Sequence, residues 1–177
     1  MRMTKLVKCA ALGIAALGIL ALAGCGQQAA KGEKTYKVGI VQLVEHSSLD
    51  DANRGFVDGL KERGYEEGKN LTIDRQNAQA DQSNLQNIVQ RFISDKVDLI
   101  CAIATPAVQS AANATKDIPI VGTAVTDYVS AKVVKSNDAP GGNVTGTSDL
   151  TPIAEQIDLL MKLYPNAKTI GTIYSSS

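Results

Sequence analysis

The sequence has few of the residues and motifs on which most catalytic and metal sites depend. It contains a single histidine, His46, which excludes a metal site built from several histidines and leaves only one possible Ser–His pairing. It has no G-x-x-x-x-G-K-[ST] phosphate loop, no G-x-G-x-x-G after a strand and no G-x-S-x-G nucleophile elbow. These absences predict a binding protein rather than an enzyme, with no metal and no cofactor.

The first 24 residues have the pattern of an export signal. Three basic residues precede an uncharged apolar run from Cys9 to Ala23, which is short for a membrane span of about 20 residues. The run ends in Leu-Ala-Gly-Cys at positions 22–25, which resembles a bacterial lipobox; an ordinary secretory signal or a short anchor is the alternative. We therefore predict a signal peptide over 1–24, lipidation of Cys25, and a flexible tether over 25–35 that holds the protein on the extracytoplasmic face of a bacterial membrane.

The remaining chain has little free cysteine and no excess of positive charge. If Cys9 is removed and Cys25 carries lipid, Cys101 has no partner, so neither a disulfide framework nor a cysteine-based zinc site is expected. Cys101 lies in the apolar run DLICAIA, which predicts a small buried side chain rather than a reactive thiol. Removal of residues 1–24 takes away three of the 18 basic residues and none of the 18 acidic ones, and this argues against a nucleic-acid partner.

Beyond the tether the pattern alternates between strands and helices. Four apolar or alternating segments predict strands: YKVGIVQLV, LTIDRQ near a sheet edge, VDLICAIA and IPIVGTAV. Between them, apolar residues at helical spacing predict three helices. The first ends near Gly64, the second has an apolar face from Leu85 to Ile93, and the third begins at Thr105-Pro106 with Thr105 as N-cap. This order predicts an α/β fold with a Rossmann-like parallel sheet flanked by helices.

The pattern changes after Asp127. The segment SNDAPGGNVTG predicts a turn or crossing. Thr151-Pro152 predicts the start of a helix with threonine as its N-cap, and AKTIGTIYSSS predicts a further strand. A helix and one strand cannot bury a core, so we expect a first ligand-binding lobe over 36–142, a hinge crossing over 143–150, and the start of an incomplete second lobe over 151–177.

Ligands of open α/β sheets bind outside the carboxyl ends of the strands, and polar residues follow four predicted strands here. Thr105 is suited to a ligand carboxylate, or only caps its own helix. Glu45 and Asp127 are suited to an ammonium group, or are ordinary solvent-facing acids. His46 contacts ligand or holds its loop, and Ser148 faces the cleft from the hinge. The candidate ligand-binding residues are Gln42, Glu45, His46, Ser47, Thr105, Pro106, Thr126, Asp127 and Ser148.

Three segments together resemble a known family. The stretch from YKVGIVQLVEHSS to YEEGKNL, the stretch ICAIATPAVQSAANATKDIPIVGTAVTD and the stretch GGNVTGTSDLTPIAEQIDLLMKLYP, behind a lipobox, are similar to ABC-transporter substrate-binding lipoproteins of the type I periplasmic-binding fold. The branch is the one that includes tryptophan- and tyrosine-binding members. The resemblance implies a two-lobed receptor that closes over a small molecule, for instance an aromatic amino acid, and delivers it to a permease with a separate ATPase. It also implies second-lobe contacts mostly beyond Ser177.

Three other functions fit parts of this pattern. A sugar-responsive transcription regulator has the same two lobes, but it needs a DNA-binding helix-turn-helix where this chain has a lipobox. A surface receptor that senses nucleosides or sugars for a signalling partner is the main alternative. A surface hydrolase with a flavodoxin-like sheet lacks support, because no nucleophile motif is present.

Overall fold

The computed structural model describes residues 34–173. The predicted signal peptide, Cys25 and nearly all of the predicted tether lie outside the described residues. In the described range no helix combines the length and the apolar character needed to cross a membrane.

One parallel sheet of five strands organises the described chain, in the order β2-β1-β3-β4-β5. Because β2 lies on one side of β1 and β3 on the other, the chain winds outward in opposite directions from the β1–β3 pair. The predicted parallel α/β fold is confirmed, and LTIDRQ forms an edge strand as expected. The strands are β1 (Tyr36–Gln42), β2 (Leu71–Asn77), β3 (Leu99–Ile103), β4 (Ile120–Val125) and β5 (Val144–Ser148), and the helices are α1 (Ser47–Glu62), α2 (Gln82–Ser94), α3 (Thr105–Ala114) and α4 (Ile153–Leu163).

Helices cover both faces of this sheet, so the central strands are buried on both sides. Alternate residues of β3 point to opposite faces: Ile100 and Ala102 join the core that includes Phe92 of α2, whereas Cys101 and Ile103 join the core that packs against α1. Cys101 has no exposed surface, and this burial raises the pKa of its thiol to about 12. The prediction that Cys101 is a small buried side chain is therefore confirmed.

The fifth strand forms where the sequence predicts only a crossing. Val144–Ser148 pairs in parallel with β4 and places Gly146 opposite Gly122. The ring of Tyr128 occupies the space above both glycines, and its hydroxyl donates a hydrogen bond to the carbonyl of Thr147 at 3.1 Å. The strand depends on this tertiary packing, which a segment rich in turn-forming residues does not reveal.

Two predictions for the final segment are wrong. Helix α4 begins at Ile153 with Pro152 at the cap position, and no side chain caps it, so Thr151 is not its N-cap. Residues 167–173 form no strand, because no neighbouring strand within the described residues pairs with them. The apolar face predicted for α4 does exist, but its side chains are largely exposed: Ile153, Ile157, Met161 and Tyr164.

Two glycine-to-alanine substitutions should change stability in opposite directions. A Cβ at Gly39 would lie 2.6–2.8 Å from the buried ring of Phe92, so Gly39→Ala should lower the free energy of unfolding by about 1–3 kcal/mol. A Cβ at Gly55 in α1 meets nothing within 4 Å, so Gly55→Ala should raise it by about 1 kcal/mol through helix propensity. Urea unfolding of both variants tests this, and a stable Gly39→Ala variant would contradict the packing described.

Candidate functional site

The loops that follow the strands meet at the carboxyl edge of the sheet, next to the β1–β3 pair. The backbone of Leu43 donates to the carbonyl of Ile103 at 3.3 Å and accepts from the N–H of Ala80 at 2.8 Å. On the other side, the N–H of Ala104 donates to the carbonyl of Thr123 at 3.0 Å. These bonds tie the loop after β1 to the loop after β2 and to the end of β3, and the residue after β3 to β4. The point where an open α/β sheet reverses its winding is where such folds bind ligands.

Backbone strain is concentrated at this edge. Of the six described non-glycine residues with positive φ, four lie just after, or at the end of, a strand: Gln79, Ala80, Ala104 and Ala124. Ala104, at φ 84° and ψ 154°, occupies a region that is otherwise almost restricted to glycine. Such conformations cost about 1–3 kcal/mol each and occur at binding and catalytic sites. Nothing in an alanine residue signals this strain in the sequence.

The strained Ala104 changes the role expected of Thr105. Helix α3 begins at Thr105 itself with Ala104 as its N-cap and without a side-chain cap, so the predicted N-cap role of Thr105 is wrong. Pro106 is accordingly the second helical residue rather than the first. The Thr105 hydroxyl makes no hydrogen bond among the described residues, so it stays available. Pro106 has no N–H, and the N–H groups of Ala107 and Val108 donate to the carbonyl of Ala104 at 3.1 and 3.2 Å, so in the first turn only the N–H of Thr105 has no partner among the described residues.

The loop between β1 and α1 contains both engaged and available side chains. His46 is the N-cap of α1, and its Nδ1 accepts a hydrogen bond from the backbone N–H of Ser48 at 3.2 Å. Gln42 is 4% exposed, and its side-chain amide is hydrogen bonded within the protein. Glu45 and Ser47 are exposed and make no side-chain hydrogen bond among the described residues.

The loop after β4 is held by Asp127. Its Oδ1 accepts from the N–H groups of Val129 and Ser130 at 2.9 and 3.1 Å, and its Oδ2 accepts from the Ser130 hydroxyl at 2.7 Å. These bonds, chiefly the one from the Ser130 hydroxyl, hold the pKa of Asp127 below its usual range. The carboxylate therefore stabilises its own turn, a role that the sequence pattern does not predict.

The chain leaving the sheet is held at the same edge. The hydroxyl of Ser148 donates to the carbonyl of Thr126 at 2.7 Å and accepts from the N–H of Leu150 at 3.1 Å. Thr126 is exposed, and its own hydroxyl makes no hydrogen bond among the described residues. Ser148 thus links the segment that follows β5 to the residue after β4.

The predicted residues therefore divide into two groups. Gln42, His46, Asp127 and Ser148 use their side chains to hold the loops, whereas Glu45, Ser47, Thr105 and Thr126 offer free polar groups. Ligand contact by any of them stays a prediction. The described residues contain no cluster of three metal-ligating side chains. Such a set of hydroxyls, one carboxylate and the N–H group of Thr105 is suited to hydrogen-bonding a small polar ligand.

The low pKa of Asp127 predicts how stability responds to acid. Because its folded-state pKa lies below the unfolded value, the stabilisation is complete at pH values above the unfolded value and is lost as pH falls through the folded pKa. Asp127→Asn should lower the melting temperature at pH 7. The melting temperature of this variant should also fall less than that of the unaltered protein as the pH is lowered below about 4. Asp138→Asn, at an exposed carboxylate without a hydrogen bond in the described chain, is the control and should retain the full decline. Equal pH profiles for the two variants would contradict this role of Asp127.

Comparison with known proteins supplies the context for this site. A family model described as ABC transporter substrate binding protein matches residues 37–177. A tyrosine-binding protein of Clostridioides difficile (strain R20291) is 50% identical over 171 residues, which are 91% of this chain and 50% of that protein. The chain thus spans about half the length of the curated relative that it matches.

Solved structures show the same relationship. The structure of an ABC domain in complex with L-Trp from Streptococcus pneumoniae has a TM-score of 0.77 and 44% identity, and covers 81% of this chain and 48% of that one. The ligand-free, open structure of a substrate-binding protein with adhesive properties from Clostridium difficile has a TM-score of 0.70 and 51% identity, over 76% of this chain and 45% of that one. These neighbours have the type I periplasmic-binding fold. The chain belongs to the family of ABC transporter substrate-binding proteins.

Proposed function

We propose that this protein is an extracytoplasmic lipoprotein that captures an amino acid, preferably an aromatic one, and delivers it to an ABC permease driven by a separate ATPase. Membership of the family supports a binding role. The named activity of the tyrosine-binding relative and the L-Trp in the streptococcal structure support the ligand class. In this proposal no covalent bond is made or broken, so the protein is not an enzyme.

The observation that carries the proposal is the set of free polar groups at the β1–β3 edge. A free amino acid has one carboxylate and one ammonium group. The backbone N–H and the hydroxyl of Thr105, at the start of α3, are suited to the carboxylate. Glu45 is suited to the ammonium group, because an ammonium taken out of water needs an opposite charge. Ser47 and Thr126 complete the polar contacts on this side of the ligand.

Capture and release follow from the two-lobed architecture of the family. The residues described here supply one wall of the cleft, and closure of a second lobe over the ligand would exclude water from these contacts. Ser148 and Thr126 lie where the chain leaves the first wall, so they connect ligand loops to the hinge. Release to the permease then requires only that the closed state be opened.

Lipidation at Cys25 can be tested directly. Cys25→Ser should abolish the incorporation of labelled fatty acid, because the lipobox cysteine supplies the sulfur that carries the diacylglyceryl group. Cys9→Ser, which changes a cysteine inside the apolar run, is the matched control and should remain labelled. Labelling of Cys25→Ser would overturn the anchor assignment.

Ligand identity can be tested with the full-length, lipid-free protein. A thermal-shift screen against amino acids, nucleosides and sugars should show stabilisation by L-tyrosine or L-tryptophan, since a ligand that binds only the folded state raises the melting temperature. Stabilisation by nucleosides or sugars alone would overturn the ligand class.

The role of Thr105 can be tested with the ligand found in that screen. Thr105→Val should weaken its affinity at least tenfold by calorimetry, about 1.4 kcal/mol. Thr72→Val, at an exposed position near the start of β2, is the control and should stay within twofold. Unchanged affinity of Thr105→Val would assign this residue a purely structural role.

A further inference from the structure

A buried amide closes the carboxyl end of β1. Gln42 is the last residue of that strand and is 4% exposed. Its backbone carbonyl accepts from the N–H of Ala78 at 2.9 Å, which ties this end of β1 to the loop after β2. The side chain begins at the point where the β1–α1 loop leaves the sheet, so it can act on that loop directly.

All three hydrogen bonds of this side-chain amide are made with the loop and with the helix that follows it. Nε2 donates to the carbonyl of Val44 at 2.9 Å and to Oδ1 of Asp50 at 2.6 Å. Oε1 accepts from Nδ2 of Asn53 at 3.2 Å. Asp50 and Asn53 lie three residues apart on α1 and therefore on one face of that helix. One side chain thus connects the strand end, the loop and the first turns of α1.

We propose that Gln42, Asp50 and Asn53 form a clamp that holds the β1–α1 loop in its ligand-binding conformation before the ligand arrives. The inference rests on the proposed function, and it makes Gln42 a positioning residue rather than a ligand contact. Between Gln42 and Asp50 lie Glu45 in the loop and Ser47 at the start of α1, and their side chains make no hydrogen bond among the described residues. Holding such groups in place in advance removes part of the ordering cost of binding.

The clamp is sensitive to charge, which gives a sharp test. Gln42→Glu keeps the shape of the side chain but turns the donor that faces Asp50 and the Val44 carbonyl into an acceptor. The loop should then be released, and the dissociation constant for L-tyrosine or L-tryptophan should rise at least tenfold. Adding Asp50→Asn supplies an amide that can donate to the carboxylate introduced at position 42, although the bond to the Val44 carbonyl stays lost. The double variant should therefore recover part of the lost affinity and bind at least threefold more tightly than Gln42→Glu alone.

A matched control separates positioning from stability. Gln76 Nε2 donates to Asp74 Oδ1 at 2.5 Å in another partly buried Gln–Asp contact, on β2 and outside the β1–α1 loop. Gln76→Glu makes the same chemical change and should leave the dissociation constant within twofold. The unfolding of every variant is measured without ligand, and affinities are compared where each is fully folded. A Gln42→Glu variant that loses stability but keeps its affinity would overturn the clamp.

Hydrogen exchange of residues 43–48 gives a readout that needs no ligand. Exchange in this loop should be faster in Gln42→Glu than in Gln76→Glu, and it should slow again when Asp50→Asn is added. If the unaltered protein binds neither L-tyrosine nor L-tryptophan, the proposed aromatic ligand is wrong. Exchange then decides the clamp by itself: faster exchange in Gln42→Glu supports it, and unchanged exchange overturns it.

Discussion

The structure depends on the parallel pairing of β1 with β3, in which Gln42 lies beside Ile103. This pair is covered on both faces, with one core against α1 and the other against α2 and α3. When a sheet is buried on both faces, apolar side chains fill the space above and below it. Polar groups then remain mainly where the strands end and along the outer strands. The pairing therefore determines both what holds the protein together and where a ligand can reach its backbone.

At that edge the same kinds of side chain serve two purposes. His46, Asp127 and Ser148 satisfy backbone groups that would otherwise be left unpaired where strands end and helices begin. Thr105 has no such task, because the strained Ala104 is the N-cap of helix α3 and no side chain caps that helix. A binding site in this fold thus requires that some polar residues stabilise the loops, so that their neighbours remain free for a ligand.

Sequence patterns predict the elements that have strong hydrophobic periodicity. They fail for features whose existence depends on tertiary packing. The face of α2 from Leu85 to Ile93 is found as expected, because a helix with one apolar face is specified by local spacing. Strand β5 is not predicted, since it exists through two glycines that accommodate the ring of Tyr128. The N-cap of α3 is predicted at Thr105 but is Ala104, one residue earlier, because nothing about an alanine in the sequence indicates a positive φ.

The sequence by itself determined the parallel α/β order, the burial of Cys101 and the edge at which polar residues gather, since each follows from hydrophobic spacing along the chain. Only the tertiary structure decided which of those polar residues are free. That division depends on contacts between residues brought together by folding, such as Gln42 with Asn53 and Ser148 with Thr126. A hydrogen bond is satisfied by a partner in space, and sequence distance does not specify that partner.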